Sequence, residues 1–264
     1  MLDDAGVPID GRAMIELLPL TGMSEISPGA DLAALLGDAL MAAGIAPQAG
    51  DVLVVTQKIV SKAEDRFVSM DAVVPGAEAE ELAAVTGKPA ALVELVLRES
   101  SAVVRAVPNV LVTRHRSGHV MANAGIDRSN IGAAGPESVL LLPVDADASA
   151  AHIHAALAAR FDPAPAVLIS DSFGRPWRMG VVNVAIGAAG LPALIDRRGE
   201  LDRDGRPLEV TQIALGDMLA SAAGLAMGEG AESVPAVLVR GVAWSGPEAT
   251  AATLVRPVEQ DLFR

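Results

Sequence analysis

DVLVVT (51–56) and AVLIS (166–170) are short apolar runs rich in Val, Leu and Ile, and a polar segment directly follows each of them. Runs of this length and composition predict buried strands. The polar segments are QKIVSKAE (57–64) and DSFGRPWR (171–178). Because the end of a strand fixes the direction of the next side chains, these two segments are the first candidates for a functional site.

The other predicted elements alternate irregularly along the chain. Apolar periodicity and end signals predict helices over residues 30–43, 89–97, 148–160 and 211–227, with Gly228 as the C-cap of the last. β-Branched and aliphatic runs predict strands over residues 109–114, 119–122, 139–142, 181–186 and 237–240. The segment DPAP (162–165) is a candidate boundary between two halves of the chain.

Composition restricts the classes of function. The 264 residues carry a formal net charge of -13 and no cysteine. A chain this acidic is a poor nucleic-acid binder, and without cysteine it forms no disulfide or thiolate metal site. No apolar run is long enough to span a membrane, and the start MLDDAGVPIDGR (1–12) lacks the layout of a signal peptide. We therefore expect a cytoplasmic protein.

The two common nucleotide-binding loops do not occur in the sequence. Gly87-Lys88 is followed by Pro89, and Leu82 stands where a P-loop needs its first glycine. The segment GAAG (187–190) does not have the GxGxxG spacing. Any nucleotide must therefore be held by metal ions and by side chains from separate segments.

Four polar segments are candidates for a functional site. In NAGIDRSN (123–130), Asp127 and Asn130 could face one ligand, although the spacing alone favours a turn. In ISDSFGRPWR (169–178), Asp171 and Ser172 suit Mg²⁺ or Mn²⁺, and Arg175 and Arg178 suit a phosphate or carboxylate; a solvated loop is an equal alternative.

The remaining two segments have ordinary explanations as well as functional ones. In MGEGAES (227–233), Glu229 lies between glycines after a predicted helix, where a cap is the simpler reading. Lys58 and Lys62 lie four residues apart and could contact phosphates, but such pairs are usually solvated. The spacing of the four histidines predicts no metal site.

Together these segments resemble the F420-0:gamma-glutamyl ligase family, over about residues 14–241. The most specific matches, in this order along the chain, are QKIVSKAEDR (57–66), NAGIDRSN (123–130), SDSFGRPWRMG (170–180), AIGAAGLPALIDRRGELDRDGRPLEVT (185–211) and MGEG (227–230). The resemblance implies an α+β fold with mixed or mainly antiparallel sheets, packed helices and an intertwined homodimer. It also implies a single ligase domain over residues 1–264, built as one unit or two intertwined subdomains, without a C-terminal flavin domain.

The implied reaction joins L-glutamate to coenzyme F420-0, and then to F420-1 and longer products, through γ-linked amides. GTP is the co-substrate, GDP and phosphate are released, and two Mg²⁺ or Mn²⁺ ions and one K⁺ take part. Two alternatives remain open at this stage. They are a metal-dependent nucleotide phosphohydrolase and an inactive deazaflavin-binding protein.

The resemblance also assigns roles by position. Asp127 and Asp171 are implied as ligands of one metal, and Ser172 and Glu229 as ligands of the second. Asp171, Arg175 and Arg178 are the candidate catalytic residues. The implied nucleotide contacts are Met23, Ser24, Glu25, Ile26, Gln57, Lys58, Lys62, Asn130, Met227, Gly228, Glu229, Gly230, Ala231, Glu232, Ser233 and Val234.

Overall fold

The computed structural model describes residues 14–132 and 135–262, which form twelve strands and six α-helices. The strands are β1 (Glu16–Leu20), β2 (Val52–Thr56), β3 (Phe67–Ser69), β4 (Ser100–Val107), β5 (Val110–His115), β6 (Val120–Ala122), β7 (Ser138–Leu140), β8 (Ala166–Arg175), β9 (Arg178–Ala189), β10 (Ile195–Asp196), β11 (Gln212–Ile213) and β12 (Ala236–Arg240). The helices are α1 (Leu32–Ala42), α2 (Gln57–Ala63), α3 (Ala77–Thr86), α4 (Ala90–Arg98), α5 (Ala146–Ala158) and α6 (Leu215–Met227).

A five-stranded sheet with the order β1-β12-β2-β8-β9 forms the centre of the fold. The β2–β8 pair is parallel, and the other three pairs are antiparallel. The smaller sheets β4-β5-β6, β3-β7 and β10-β11 are antiparallel throughout. The expected α+β class, with mostly antiparallel sheets and packed helices, is confirmed.

Helices cover both faces of the large sheet. Side chains alternate along a strand, so Leu53 and Val55 of β2 face one core, and Val52 and Val54 face the other. The first core is completed by α1, α2 and α5, and the second by α6. These four side chains have no exposed surface, which explains why this part of β2 is a continuous apolar run.

A third core lies apart from the large sheet. It is formed by residues of α3, α4, β5 and β7 and by the loop after β6. Residues 123–127 leave this region through a short 3-10 turn, and Asp127 forms an isolated bridge with Leu140. The turn after β6 thereby places Asp127 between the third core and the large sheet.

Two expectations from the sequence are wrong in detail. The helix predicted from residue 211 begins at Leu215, because Gln212 and Ile213 pair with Ile195 and Asp196 as a strand. The segment 162–165 does not separate two halves, since α5 before it and β8 after it contribute to the same core. The structure confirms Gly228 as the C-cap of α6.

None of the helices within residues 14–132 and 135–262 has the length and apolar character needed to cross a membrane.

Asp147, in the first turn of α5, ties three backbone segments together. Its carboxylate accepts hydrogen bonds from the Ala188 N–H at 2.8 Å, the Ala251 N–H at 2.9 Å and the Ala252 N–H at 3.1 Å. Hydrogen bonds to a charged acceptor are stronger than those between neutral groups. This one side chain therefore holds the C-terminal segment and β9 against α5.

We expect Asp147→Ala to lower the free energy of unfolding by about 2 kcal/mol, because three backbone N–H groups lose a charged acceptor. Chemical denaturation monitored by circular dichroism measures the change. Asp71→Ala, at an exposed position, is the matched control and should have little effect. Equal stability of the two variants would contradict the structural role of Asp147.

Candidate functional site

The parallel pairing of β2 and β8 brings the two polar segments of the sequence together. Thr56, the last residue of β2, is the register partner of Ser170, which lies in the middle of β8. Gln57, which opens α2, and Asp171, the next residue of β8, consequently lie beside each other. Carboxyl ends of neighbouring parallel strands are a common place for ligand sites.

A cleft of about 550 Å³ opens where the carboxyl end of β2 lies beside the middle of β8. Its walls come from the loop after β1, from α2, from the loop after β6, from β8 and β9, and from the segment after α6. The lining residues are Met23, Ser24, Glu25, Ile26, Thr56, Gln57, Lys58, Ile59, Lys62, Asp127, Asn130, Gly132, Ser170, Asp171, Ser172, Asn183, Met227, Gly228, Glu229, Gly230, Ala231, Glu232, Ser233, Val234 and Pro235. The structure thus brings together every residue expected to bind nucleotide or metal, while their roles stay predictions.

Asp127 and Gln57 are joined by a chain of hydrogen bonds. Gln57 Nε2 donates to Asp127 Oδ2 at 2.7 Å, and Ser61 Oγ donates to Gln57 Oε1 at 2.9 Å. The Ser61 hydroxyl therefore fixes which end of the Gln57 amide faces the carboxylate. Sequence reasoning missed Ser61; its position four residues after Gln57, one helical turn on, is the signal that could have found it.

Asp127 and Asp171 form a partly buried acidic pair. Burial, together with repulsion by the nearby Asp127 carboxylate, raises the pKa of Asp171 to about 7. Burial also raises the pKa of Asp127, although Lys58 Nζ, 3.5 Å from its Oδ2, opposes this. Lys58 also donates to the Ser129 carbonyl oxygen at 3.1 Å. Lys58 therefore balances only part of the negative charge of the pair, which suits the pair to a divalent cation.

Asp171 and Ser172 face opposite sides of β8 because they are consecutive residues of one strand. Asp171 faces α2 and Asp127, and Ser172 lies across from Asn183 of β9 on the α6 side. Glu229 follows α6. The assignment of Asp171 and Ser172 to two different metal ions stays a prediction.

The charges of the cleft bear on which ligand it can take. Two lysines line it, and five carboxylates do so: Glu25, Asp127, Asp171, Glu229 and Glu232. A nucleotide triphosphate would be repelled unless cations entered with it. Within residues 14–132 and 135–262, no three His, Asp or Glu side chains are grouped closely enough to hold an ion. The donor set fits Mg²⁺ or Mn²⁺ of the kind that takes one or two carboxylates and completes its shell with phosphate and water.

The lysine at the back of the cleft is held by an ion pair. Lys62 is buried, and its ammonium group contacts the Glu25 carboxylate from the loop after β1. Glu25 is more than half exposed, so it can be displaced from Lys62 by an incoming anion. This contact explains how the segment Met23–Ile26 comes to lie on the cleft.

The segment after α6 is shaped by its glycines. Gly228 has φ of 72° and ψ of 179°, a backbone conformation that favours glycine. Glu232 accepts a hydrogen bond from the Gly230 N–H at 2.8 Å. Asn130 Nδ2 donates to the Gly230 carbonyl oxygen at 3.0 Å and joins this segment to the loop after β6.

Arg175 and Arg178 do not line the cleft. They flank the two-residue tip of the β8–β9 hairpin, where Arg175 Nη2 donates to the Met179 carbonyl oxygen at 3.5 Å. Their catalytic role stays a prediction, and within one chain they lie beyond the cleft's lining residues. His115 and His119 share the Ser117 hydroxyl, each at 2.8 Å, and lie outside the cleft.

A β-bulge lies beside the acidic pair. The pairing of β8 with β9 shifts by one residue between Ile169 and Ser170, so that Ile186 is the extra residue of β9. Asp217 of α6 accepts a hydrogen bond from the neighbouring Ala185 N–H at 3.0 Å. Helix α6 therefore supports the β9 backbone opposite Ser170.

The raised pKa of Asp171 predicts how the stability of the metal-free protein depends on pH. In the unfolded chain this carboxyl titrates near 3.8, whereas in the fold it keeps its proton to about 7. The folded state then binds more protons, so the free energy of unfolding falls as pH rises between these values. We expect Asp171→Asn to reduce the loss of melting temperature between about pH 5 and about pH 8 by at least about 2 °C.

Differential scanning fluorimetry in EDTA measures this pH dependence. Asp71→Asn, at an exposed position, should keep the wild-type profile. Parallel profiles for the wild type and Asp171→Asn would show that Asp171 is already ionised in the metal-free fold.

Comparison with known proteins identifies relatives along nearly the whole chain. The family described as "F420-0:Gamma-glutamyl ligase" matches residues 22–241. The coenzyme F420:L-glutamate ligase of Methanopyrus kandleri is 43% identical over 259 residues, covering 96% of this chain and 99% of that protein. The ligase of the same name from Methanothermobacter thermautotrophicus is 43% identical over 254 residues, covering 95% and 99%. That from Archaeoglobus fulgidus is 39% identical over 250 residues, covering 95% and 96%.

Proposed function

The chain belongs to the F420-0:gamma-glutamyl ligase family, and on this basis we propose that it is the GTP-dependent ligase that adds L-glutamate to coenzyme F420-0. The products are a γ-linked amide, GDP and phosphate, and F420-1 and longer forms are acceptors in later cycles. The observation that carries the proposal is the cleft itself. It places the two lysines, the partly buried acidic pair and the segment after α6 around one space.

The proposed reaction has two steps, because a carboxylate does not react directly with an amine in water. A carboxylate oxygen of F420-0 attacks the γ-phosphorus of GTP, and the bond to the β-phosphate oxygen breaks to release GDP. The glutamate nitrogen then attacks the carbonyl carbon of the acyl phosphate. Inorganic phosphate leaves, and the nitrogen loses its proton to solvent.

The residues of the chain bind and orient the reactants in this scheme. Lys58 and Lys62 contact the phosphates as point charges, and Gln57 holds the Asp127 carboxylate in place through its hydrogen bond. Asn130 and the segment Met227–Val234 contact the nucleotide. Two divalent ions, held by Asp127 and Asp171 and by Ser172 and Glu229, and one K⁺ would neutralise the charge that develops on the β- and γ-phosphates.

The first experiment incubates the protein with F420-0, GTP, L-glutamate and Mn²⁺ and follows the products by mass spectrometry, omitting one component at a time. We expect mass increments of glutamyl residues that require every component. GTP consumption without an increment would instead support a nucleotide phosphohydrolase. Intact GTP together with saturable deazaflavin binding would support a binding protein.

We expect Asp171→Ala to lower the rate of glutamate addition at least about 100-fold, because the cleft loses a carboxylate of its acidic pair. The same assay measures it, and circular dichroism checks that the fold is intact. Asp71→Ala is the matched control. Normal glutamate incorporation by Asp171→Ala would refute the metal-ligand assignment.

We also propose a homodimer in which the β8–β9 hairpin packs against the second copy. Trp177 and Met179 at its tip are 83% and 97% exposed, which is unusual for apolar side chains placed so close together. In such a dimer Arg175 and Arg178 would be carried toward the partner, which explains how they could act although they do not line the cleft of their own chain.

Light scattering after size-exclusion chromatography tests the dimer. We expect the wild type to have about twice the 26.9 kDa mass of one chain. Met179→Glu should shift it toward the monomer, because burying the new charge in an interface is costly. Val74→Glu, at a position that is 80% exposed, is the control and should leave the mass unchanged. A dimer unaffected by Met179→Glu would exclude the hairpin from the interface.

A further inference from the structure

Ser170 has a buried hydroxyl group without a protein partner at the floor of the cleft. The residue is 1% exposed, and its Oγ makes no hydrogen bond to any part of the chain that the structure describes. A buried hydroxyl in this state loses free energy unless a ligand or water completes its hydrogen bonds. Because Ser170 lines the cleft, a bound ligand can supply that partner.

Asn183 faces the same part of the cleft from the neighbouring strand. It lies directly across from Ser172 in the β8–β9 pair, and residues in that relation project to the same face of a sheet. Ser170 and Ser172, two residues apart, share this face too. One side of β8 and β9 therefore presents two hydroxyls and an amide to the cleft.

Helix α6 leaves space for the Asn183 side chain at Gly224. A Cβ at Gly224 would lie 2.8 Å from the Asn183 Cγ and Oδ1, so glycine is required for this close approach. Ser221 Oγ donates to the Asn183 carbonyl oxygen at 2.7 Å and fixes the backbone there. The Asn183 side chain is thus held in position from the helix side.

The charges on the two sides of β8 differ. Both lysines that line the cleft belong to α2, on the side of Asp171. Ser170 and Asn183 are themselves uncharged, and the carboxylates on their side of β8 are Asp217, which accepts from the Ala185 N–H, and Glu229, an expected metal ligand. A triphosphate, with several negative charges, needs the lysines and cations, whereas neutral hydrogen-bond donors can hold a single carboxylate.

We propose that Ser170 and Asn183 form the subsite for the carboxylate that is activated, which under the proposed function is the terminal carboxylate of F420-0 or of its last glutamate. The Ser170 hydroxyl and the Asn183 amide donate to one carboxylate oxygen and leave the other free to attack the γ-phosphorus. Neutral donors hold the acceptor without removing the negative charge that makes its oxygen a nucleophile.

The structure also offers a matched control for the buried hydroxyl. Thr113 Oγ1 is likewise buried without a partner among the described residues, but Thr113 lies in β5 and does not line the cleft. If an unpartnered hydroxyl were only a feature of packing, Ser170→Ala and Thr113→Val would behave alike. If Ser170 binds a ligand, only Ser170→Ala changes ligand binding.

Binding measurements in EDTA test the subsite without turnover or added metal. The intrinsic fluorescence of F420-0 reports acceptor binding, and a fluorescent GTP analogue reports nucleotide binding in a separate titration with Mg²⁺. We expect Ser170→Ala to weaken F420-0 binding about tenfold through the loss of one hydrogen bond to a charged group. Asn183→Asp should weaken it further by repulsion, while GTP binding by Ser170→Ala stays within about twofold.

The outcomes separate this proposal from the proposed function. Equal weakening of F420-0 and GTP binding by Ser170→Ala, or of F420-0 binding by Ser170→Ala and Thr113→Val, would overturn the subsite. Unchanged F420-0 binding by Ser170→Ala and Asn183→Asp would overturn it as well. If the wild type binds F420-0 and Ser170→Ala weakens that binding, but no glutamate is added, the subsite stands and the proposed ligase function fails.

Discussion

The parallel pairing of β2 with β8 is the constraint on which the rest of the site depends. It is the one parallel pair of the five-stranded sheet, and it puts Thr56 beside Ser170 at the same edge. Gln57 and Asp171 then start the two segments that form the floor of the cleft. An antiparallel pairing of these strands would have placed the two segments at opposite edges of the sheet, and no common site would exist.

A deficit of positive charge follows from this arrangement. Asp127 is brought from the smaller region into contact with Gln57 and lies near Asp171, where burial and mutual repulsion raise the pKa of Asp171 to about 7. Lys58 offsets only part of the charge, since one ammonium group acts on two carboxylates. The acidic pair therefore stores an unfavourable interaction that a cation bound with a nucleotide would relieve.

The two faces of β8 present different chemical groups to the cleft. The α2 side carries the lysines and the acidic pair, and the α6 side carries hydroxyls, an amide and the glycine-rich segment that begins at Gly228. Alternation along a strand produces this division, because Ser170 and Ser172 face α6 whereas Asp171 faces α2. Helix α6 keeps the second side in shape through Gly224 next to Asn183 and Asp217 next to Ala185.

The sequence by itself determined strand β2, the apolar first half of β8, helix α1, and the segments that line the cleft, because apolar runs and residue types are local properties. The prediction that the second strand ends at residue 170 was wrong, because residues 171–175 pair with β9 and continue β8. Only the tertiary structure decided that those strands are parallel neighbours and that residues 212–213 form β11 instead of the start of α6. It also decided that Arg175 and Arg178 lie away from the cleft. Ser170 and Asn183 could not be singled out from the sequence. Their significance comes from burial and from partners far along the chain, such as Gly224 beside Asn183, which local patterns do not encode.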